Sequence, residues 1–329
     1  MKVKKLLTVS LFALLLVVVT ACSGSGSDGD TVTLKLAHSG SDSHQYNIAA
    51  EKFKELVEEK TGGSVKVEIH GNATLGSEAD VIEQVMDGSV DMTTVAADSS
   101  FANTVPEMNV FGIPYLFNDT EHVYSTLDGE VGKELLSLVD EHNMKGLGYW
   151  EVGFRHLTNN KKEIKTPDDV KGLKIRVQPA PVWESHMKAL GASPTPVDFN
   201  ELYSALDQGV VDGQENPLPT IDSMKFYEVQ KYVAITAHTY SPAIVVMSNS
   251  AWDKLDKEQQ KLVQEAVSET TKYHRETLAE KAKEIQNKLE ENGVTFTEPD
   301  REAFRDATQN VKDAVSSQVP EDLINKIQQ

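Results

Sequence analysis

From Trp252 to Asn292, about 40 residues, the chain carries neither proline nor glycine, the two residues that most often interrupt a helix. The stretch is rich in Lys, Glu, Gln and Ala, and Leu255, Leu262, Val263, Ala266 and Val267 give it an apolar stripe. A helix of that length exceeds the usual range of roughly 8–20 residues in one globular domain. The pattern predicts a single long helix bracing two domains. The alternative is two helices with an unmarked break.

The rest of the chain alternates short strands with helices. Thr31–Ala37, Ser64–Ile69, Asp91–Ala96 and Gly146–Trp150 read as strands. Asn47–Lys60, Glu78–Asp87, Gly132–Asn143 and Glu201–Leu206 read as helices, and Thr166-Pro167-Asp168-Asp169 reads as a helix start. That alternation predicts an α/β layered fold.

Residues 1–21 read as an export signal. Lys2, Lys4 and Lys5 precede an apolar run, Leu6 to Val19, which is too short to span a bilayer. The run ends Val19-Thr20-Ala21-Cys22, and Cys22 is the sole cysteine. This looks like a bacterial lipobox, with Cys22 as lipid anchor and residues 22–30 as a flexible tether. One cysteine leaves no internal disulfide. The tether's Gly24-x-Gly26-x-x-Gly29 matches the dinucleotide fingerprint only formally, since it precedes a strand instead of following one.

The formal charge of the whole chain is -19, and removing the three signal lysines brings the remainder near -22 (-19 minus 3). Such a surface argues against nucleic acid and repels anions at long range. An anionic ligand would need a pre-arranged local cation. The sequence holds no H-E-x-x-H, G-x-S-x-G or G-x-x-x-x-G-K-[ST] motif, and its nine histidines include no i, i+4 pair on a helix. They are expected at the surface or as satisfied core groups. The expectation is a protein that is not an enzyme and carries no cofactor or metal.

Two stretches stand out. In Gly172–Ala180, Leu173, Ile175 and Val177 alternate with polar residues until Pro179 and Pro181, which sets Arg176 at a strand end. Arginine cannot shed its charge, so Arg176 is either solvated or holding an anion. Asp212-Gly213-Gln214-Glu215-Asn216-Pro217-Leu218 reads as a polar loop, either a plain turn or one presenting the Asn216 amide to a ligand.

Together with Leu75-Gly76-Ser77-Glu78, Tyr149-Trp150-Glu151-Val152-Gly153-Phe154-Arg155 and Lys225–Lys231, these stretches resemble the DctP-type solute-binding proteins of TRAP transporters over residues 31–329. The resemblance implies a two-domain periplasmic-binding-protein-like α/β fold with an interdomain cleft and a long helix spanning both domains. The division would be 31–152 plus 242–281 and 153–241 plus 282–329. It implies that Arg176 forms the primary salt bridge to a ligand carboxylate, that Arg155 adds to the anion site, that Asn216 hydrogen-bonds the ligand and that Glu78 meets its far side. Trp150, Gln178, Phe199, Tyr240 and His44 are further candidates for the ligand wall. The implied partners are a small organic acid anion and the small and large membrane subunits of a TRAP permease, driven by a sodium gradient. The protein would be a monomer, lipid-anchored on the outer face of the cell membrane.

Two neighbouring arginines suit a second carboxylate, so the expected solute is a C4-dicarboxylate such as succinate, malate or fumarate. Hexuronate or another hydroxy acid is the alternative, with Val152 standing where a polar residue is frequent. A secreted hydrolase is the remote one.

Overall fold

The computed structural model describes residues 31–329; the expected signal peptide, the expected tether and Cys22 lie outside the described residues. Eleven strands follow in order: β1 (Val32–Ala37), β2 (Val65–His70), β3 (Met92–Ala96), β4 (Met144–Phe154), β5 (His156–Asn159), β6 (Lys174–Val177), β7 (Ser193–Pro196), β8 (Gly213–Asn216), β9 (Tyr232–Ala234), β10 (Tyr240–Ser248) and β11 (Thr295–Thr297). They form two mixed sheets, ordered β2-β1-β3-β10-β4 and β11-β9-β5-β8-β6-β7.

In the first sheet β1 lies parallel to both β2 and β3. Parallel pairs need crossover helices, which Gln45–Lys60 and Glu78–Asp87 supply. Leu34, Leu36, Phe53, Trp150, Val245 and Val263 fill one face of this sheet, and Val81, Ile82, Val95, Ile244 and Val246 fill the other. With both faces covered, β10 is buried at every residue.

The chain passes between the sheets where β4 gives way to β5, and again from β9 to β10. At the first passage the register of β4 against β10 slips between Ser241–Gly153 and Pro242–Glu151, leaving Val152 as a bulge. Gly153 takes φ 119, a conformation that a β-carbon would strain.

The long helix spans Lys257–Glu291, 35 residues. Its first half packs Val263, Ala266 and Val267 into the first sheet's core, and its last turns pack Ile285 and Leu289 with Leu202, Ile221 and Phe226 beside the second. Each such buried side chain contributes about 1.5–3 kcal/mol. The helix starts five residues later than the composition suggests. Ser248 caps a separate turn, Asn249–Trp252, and Asp256 opens the long helix through a capping box with Gln259. Side-chain acceptors begin both helices, and Gln260 Nε2 donates to the Trp252 carbonyl at 2.9 Å, so the break needs neither proline nor glycine.

Two further expectations are corrected. Thr166 does form a capping box with Asp169, but only one 3-10 turn, Pro167–Asp169, follows. Residues 213–216 are not a loop but strand β8, buried at all four positions between β5 and β6.

Candidate functional site

Arg176 stands near the C-terminal end of β6 and is 1% exposed. Its Nε donates to the Val197 carbonyl at 2.8 Å. Among the described residues no carboxylate comes within 4.0 Å of its nitrogens. Burial pulls its pKa down to about 10, with Glu215 and Glu78 opposing and Arg155 adding to the fall. A guanidinium remains charged at that value. A buried charge without a counter-ion costs several kcal/mol.

Arg155, just past the β4 bulge, is also 1% exposed, yet it is fully engaged. Its Nε and Nη2 both donate to the Glu215 carboxylate, Nη2 at 2.9 Å, and Nη2 also reaches the Glu215 carbonyl at 2.8 Å. Burial opposes both charges, but the pairing wins: the Glu215 carboxyl is held down to about 2 and the arginine is raised. His238 Nε2 lies 3.3 Å from the same carboxylate, and the guanidinium sits over the Trp183 ring at 5.1 Å. Only Nη1 is left, 3.4 Å from Ser241 Oγ.

A small cavity with about 10 Å³ of free volume, room for about one water, lies between the sheets. His44, Tyr46, Glu78, Ala96 and Val152 line it from the first sheet's side, and Arg155, Gln178, Phe199, Asn216 and Thr220 from the other. Glu78 accepts from Ser39 at 3.0 Å and Ser99 at 2.9 Å; burial raises its pKa against those bonds and Arg176. Asn216 donates to Gln214, leaving its carbonyl oxygen for a donor. Gln178 Nε2, Gln45 Oε1 and His44 Nε2 are buried without a partner. Across the cavity's rim Gln45 donates to Thr220 at 2.7 Å, Ser41 to the Ser223 carbonyl at 3.1 Å, Asn103 to the Pro179 carbonyl at 2.6 Å and Trp183 to the Asp98 carbonyl at 2.7 Å. These bonds hold the two halves closed.

The structure brings six of the nine candidate site residues to this cavity: His44, Glu78, Arg155, Gln178, Phe199 and Asn216; Arg176 is not among the lining residues, but lies two residues before Gln178, within reach of the charges of Glu215, Arg155 and Glu78. It puts two elsewhere. Trp150 is 0% exposed in the first sheet's core, tilted against Phe53 and clustered with Leu34 and Val245. Tyr240 packs on Phe117 and Phe154 and donates to Glu151, beside a separate cavity at the crossovers. A larger groove of about 500 Å³ runs past Ser43, Lys225, Tyr227, Lys281 and Lys288 on the surface, away from Arg155 and Asn216.

The family model of bacterial extracellular solute-binding proteins, family 7, matches residues 36–318. The chain belongs to this family. It is 38% identical over 299 residues to the 2,3-diketo-L-gulonate-binding periplasmic protein YiaO of Escherichia coli, covering 90% of this chain and 91% of that one. Two solved TRAP periplasmic solute-binding proteins superpose on it. One, from Polaromonas sp. JS666, is bound to D-erythronate (TM-score 0.87, 34% identity, 90% of this chain and 98% of that). The other, from Sulfurospirillum deleyianum, is bound to succinate (TM-score 0.86, 34% identity, 91% and 98%). This family 7 protein is thus a TRAP solute-binding protein for small organic acids, a transport component with the two-domain periplasmic-binding fold.

Within that family 7 frame, two groups of residues escape a reading of motifs. Gln45, Thr220 and Tyr46 look like ordinary helix residues, yet Gln45 bridges the halves and Tyr46 lines the cavity. The histidines are also more buried than expected: His38, His44, His156, His186, His238 and His274 are all inside. Isolated histidines in polar segments carry no period that would place them in a core.

Proposed function

We propose that the protein captures a small hydroxylated monocarboxylate of the aldonate kind, with Arg176 as its clamp. The observation that carries this is the difference between the two buried arginines. Arg176 lacks a carboxylate neighbour among the described residues, whereas Arg155 is neutralised by Glu215. One free fork suits one carboxylate. A second ligand carboxylate would have only Arg155 Nη1 to meet, and would face Glu78 across the cavity. Hydroxyl groups suit the rest of the wall: Glu78 and Asn216 accept, and Gln178 donates. The sugar acids bound by YiaO and by the Polaromonas protein are of this class.

The C4-dicarboxylate expectation becomes the second reading, supported by the succinate-bound relative. A thermal-melt screen of residues 31–329 with D-erythronate, galacturonate, succinate and a neutral sugar separates them. At 100 times its dissociation constant a ligand adds about 2.7 kcal/mol. A shift with erythronate larger than with succinate supports the hydroxy-acid reading, and the reverse order overturns it.

The remaining roles are part of the same proposal. The two domains, 31–152 with 242–281 and 153–241 with 282–329, would close on the acid and hand it to the permease subunits. Cys22 would carry the lipid that holds the monomer at the outer face of the membrane. The wall offers binding groups without a nucleophile–base pair, which fits delivery without turnover.

A further inference from the structure

His44 sits at the start of the helix Gln45–Lys60 and caps it with its own side chain. Its Nδ1 accepts the Tyr46 backbone N–H at 3.1 Å. A nitrogen that accepts from a backbone N–H carries no proton, so the neutral ring holds its hydrogen on Nε2. The ring cannot become imidazolium without giving up that cap.

The direction of the ring is set as well. A β-carbon on Gly40 would lie 2.4 Å from His44 Nδ1, so the Nδ1 edge is pressed against the Gly40 backbone. Tyr46 and Phe199 hold the ring edge-to-face at 4.5 and 5.7 Å between centroids, and both line the ligand cavity with it. The opposite edge carries Nε2. That atom is buried, in a residue 1% exposed, and has no partner. An unpaired buried N–H is costly, so a polar ligand atom is its natural partner.

We infer that His44 is a specificity-determining residue: its Nε2–H donates to a hydroxyl or carbonyl oxygen on the carbon chain of the bound acid, from the first sheet's side of the cavity. This rests on the hydroxy-acid reading above and assigns the group that selects for it. The helix cap acts as the positioning device, since it fixes tautomer and ring orientation before the ligand arrives. Burial lowers the pKa of His44, with His38 and His274 adding to the fall, so the donor remains neutral across ordinary pH. Selection against bare alkyl acids then follows from the donor they would leave unpaired.

Two substitutions separate capping from binding. His44→Asn keeps an acceptor at the cap position, where asparagine is favoured, but lacks an atom at the Nε2 position. His44→Gln reaches toward that position with a donor but weakens the cap. Titration calorimetry would use D-erythronate, butyrate and succinate. His44→Asn is expected to keep the ligand-free melting temperature and lose tenfold or more in erythronate affinity. The preference for erythronate over butyrate should shrink by the same factor, and His44→Gln should recover part of it. Erythronate affinity in His44→Asn within twofold of wild type overturns the assignment, as does an equal loss for erythronate and butyrate. If wild type takes succinate and refuses erythronate, the hydroxy-acid reading fails. His44 is then judged on succinate, where unchanged affinity in His44→Asn overturns it. Wild type binding none of the three acids overturns both.

Discussion

Arg155 and Glu215 form a two-pronged ion pair with both side chains out of solvent, 1% and 0% exposed, directly beside the ligand cavity. The pair removes one of two neighbouring cations from the field an incoming anion meets. Net local charge, not the count of arginines, then sets how many carboxylates the site accepts.

Breaking that pair should therefore alter both stability and selectivity. Glu215→Gln leaves a buried arginine without its counter-ion, a loss of about 3–5 kcal/mol. For a protein of this size the melting temperature should fall by on the order of 10 °C. In the same variant the ratio of succinate to erythronate affinity, read by calorimetry, should rise, because Arg155 is now available. An unchanged ratio would mean that Arg155 does not act on the ligand.

Asp98 provides a pH signature. It is 0% exposed, accepts from Ser241 at 2.7 Å and has no partner on its other oxygen. Burial pushes its pKa up to about 7 from the ordinary 3.8, against the pull of Arg155 and Ser241. Between those values the folded state holds a proton that the unfolded state has released. Stability from this group is therefore greatest below about pH 4, falls as pH rises toward 7 and is level above. Asp98→Asn should flatten that slope in melting curves recorded from pH 4 to pH 8. Glu215, held down to about 2, acts in the opposite sense: its contribution is present above its unfolded value and is lost as pH falls toward 2.

The start of the long helix offers a local test. Asp256→Ala removes the acceptor for the Gln259 N–H and half of a capping box. The expected cost is about 1 kcal/mol, a drop of roughly 2–4 °C. Ligand affinity should stay as it is, since the cap lies away from the cavity. A change in affinity would mean that the helix start takes part in closure.

How far the sequence discloses this fold differs from element to element. Strands β1 and β2 show clear alternation, because one face of each meets solvent. The helix Glu78–Asp87 keeps its full predicted extent, since Ser77 and Gly88 mark both ends. Strand β8 escapes notice because its buried side chains are polar: Gln214 donates to Thr158 and Glu215 pairs with Arg155, so no apolar period betrays it. The break before Lys257 escapes for a related reason, being made by side-chain caps instead of breakers. Arg176 stands out because it falls near the end of an alternating strand that stops just before Pro179. The neutralisation of Arg155 does not, because residues 155 and 215 are distant in sequence and neither motif hints at their pairing.

The central claim is that Arg176 is the anion clamp. Titration calorimetry of D-erythronate against wild type, Arg176→Ala and Arg176→Lys tests it most directly. Removing the guanidinium should weaken binding by about 10²–10⁴-fold, and lysine should recover little, since a point charge lacks the planar fork. Binding by Arg176→Ala within threefold of wild type would contradict the clamp.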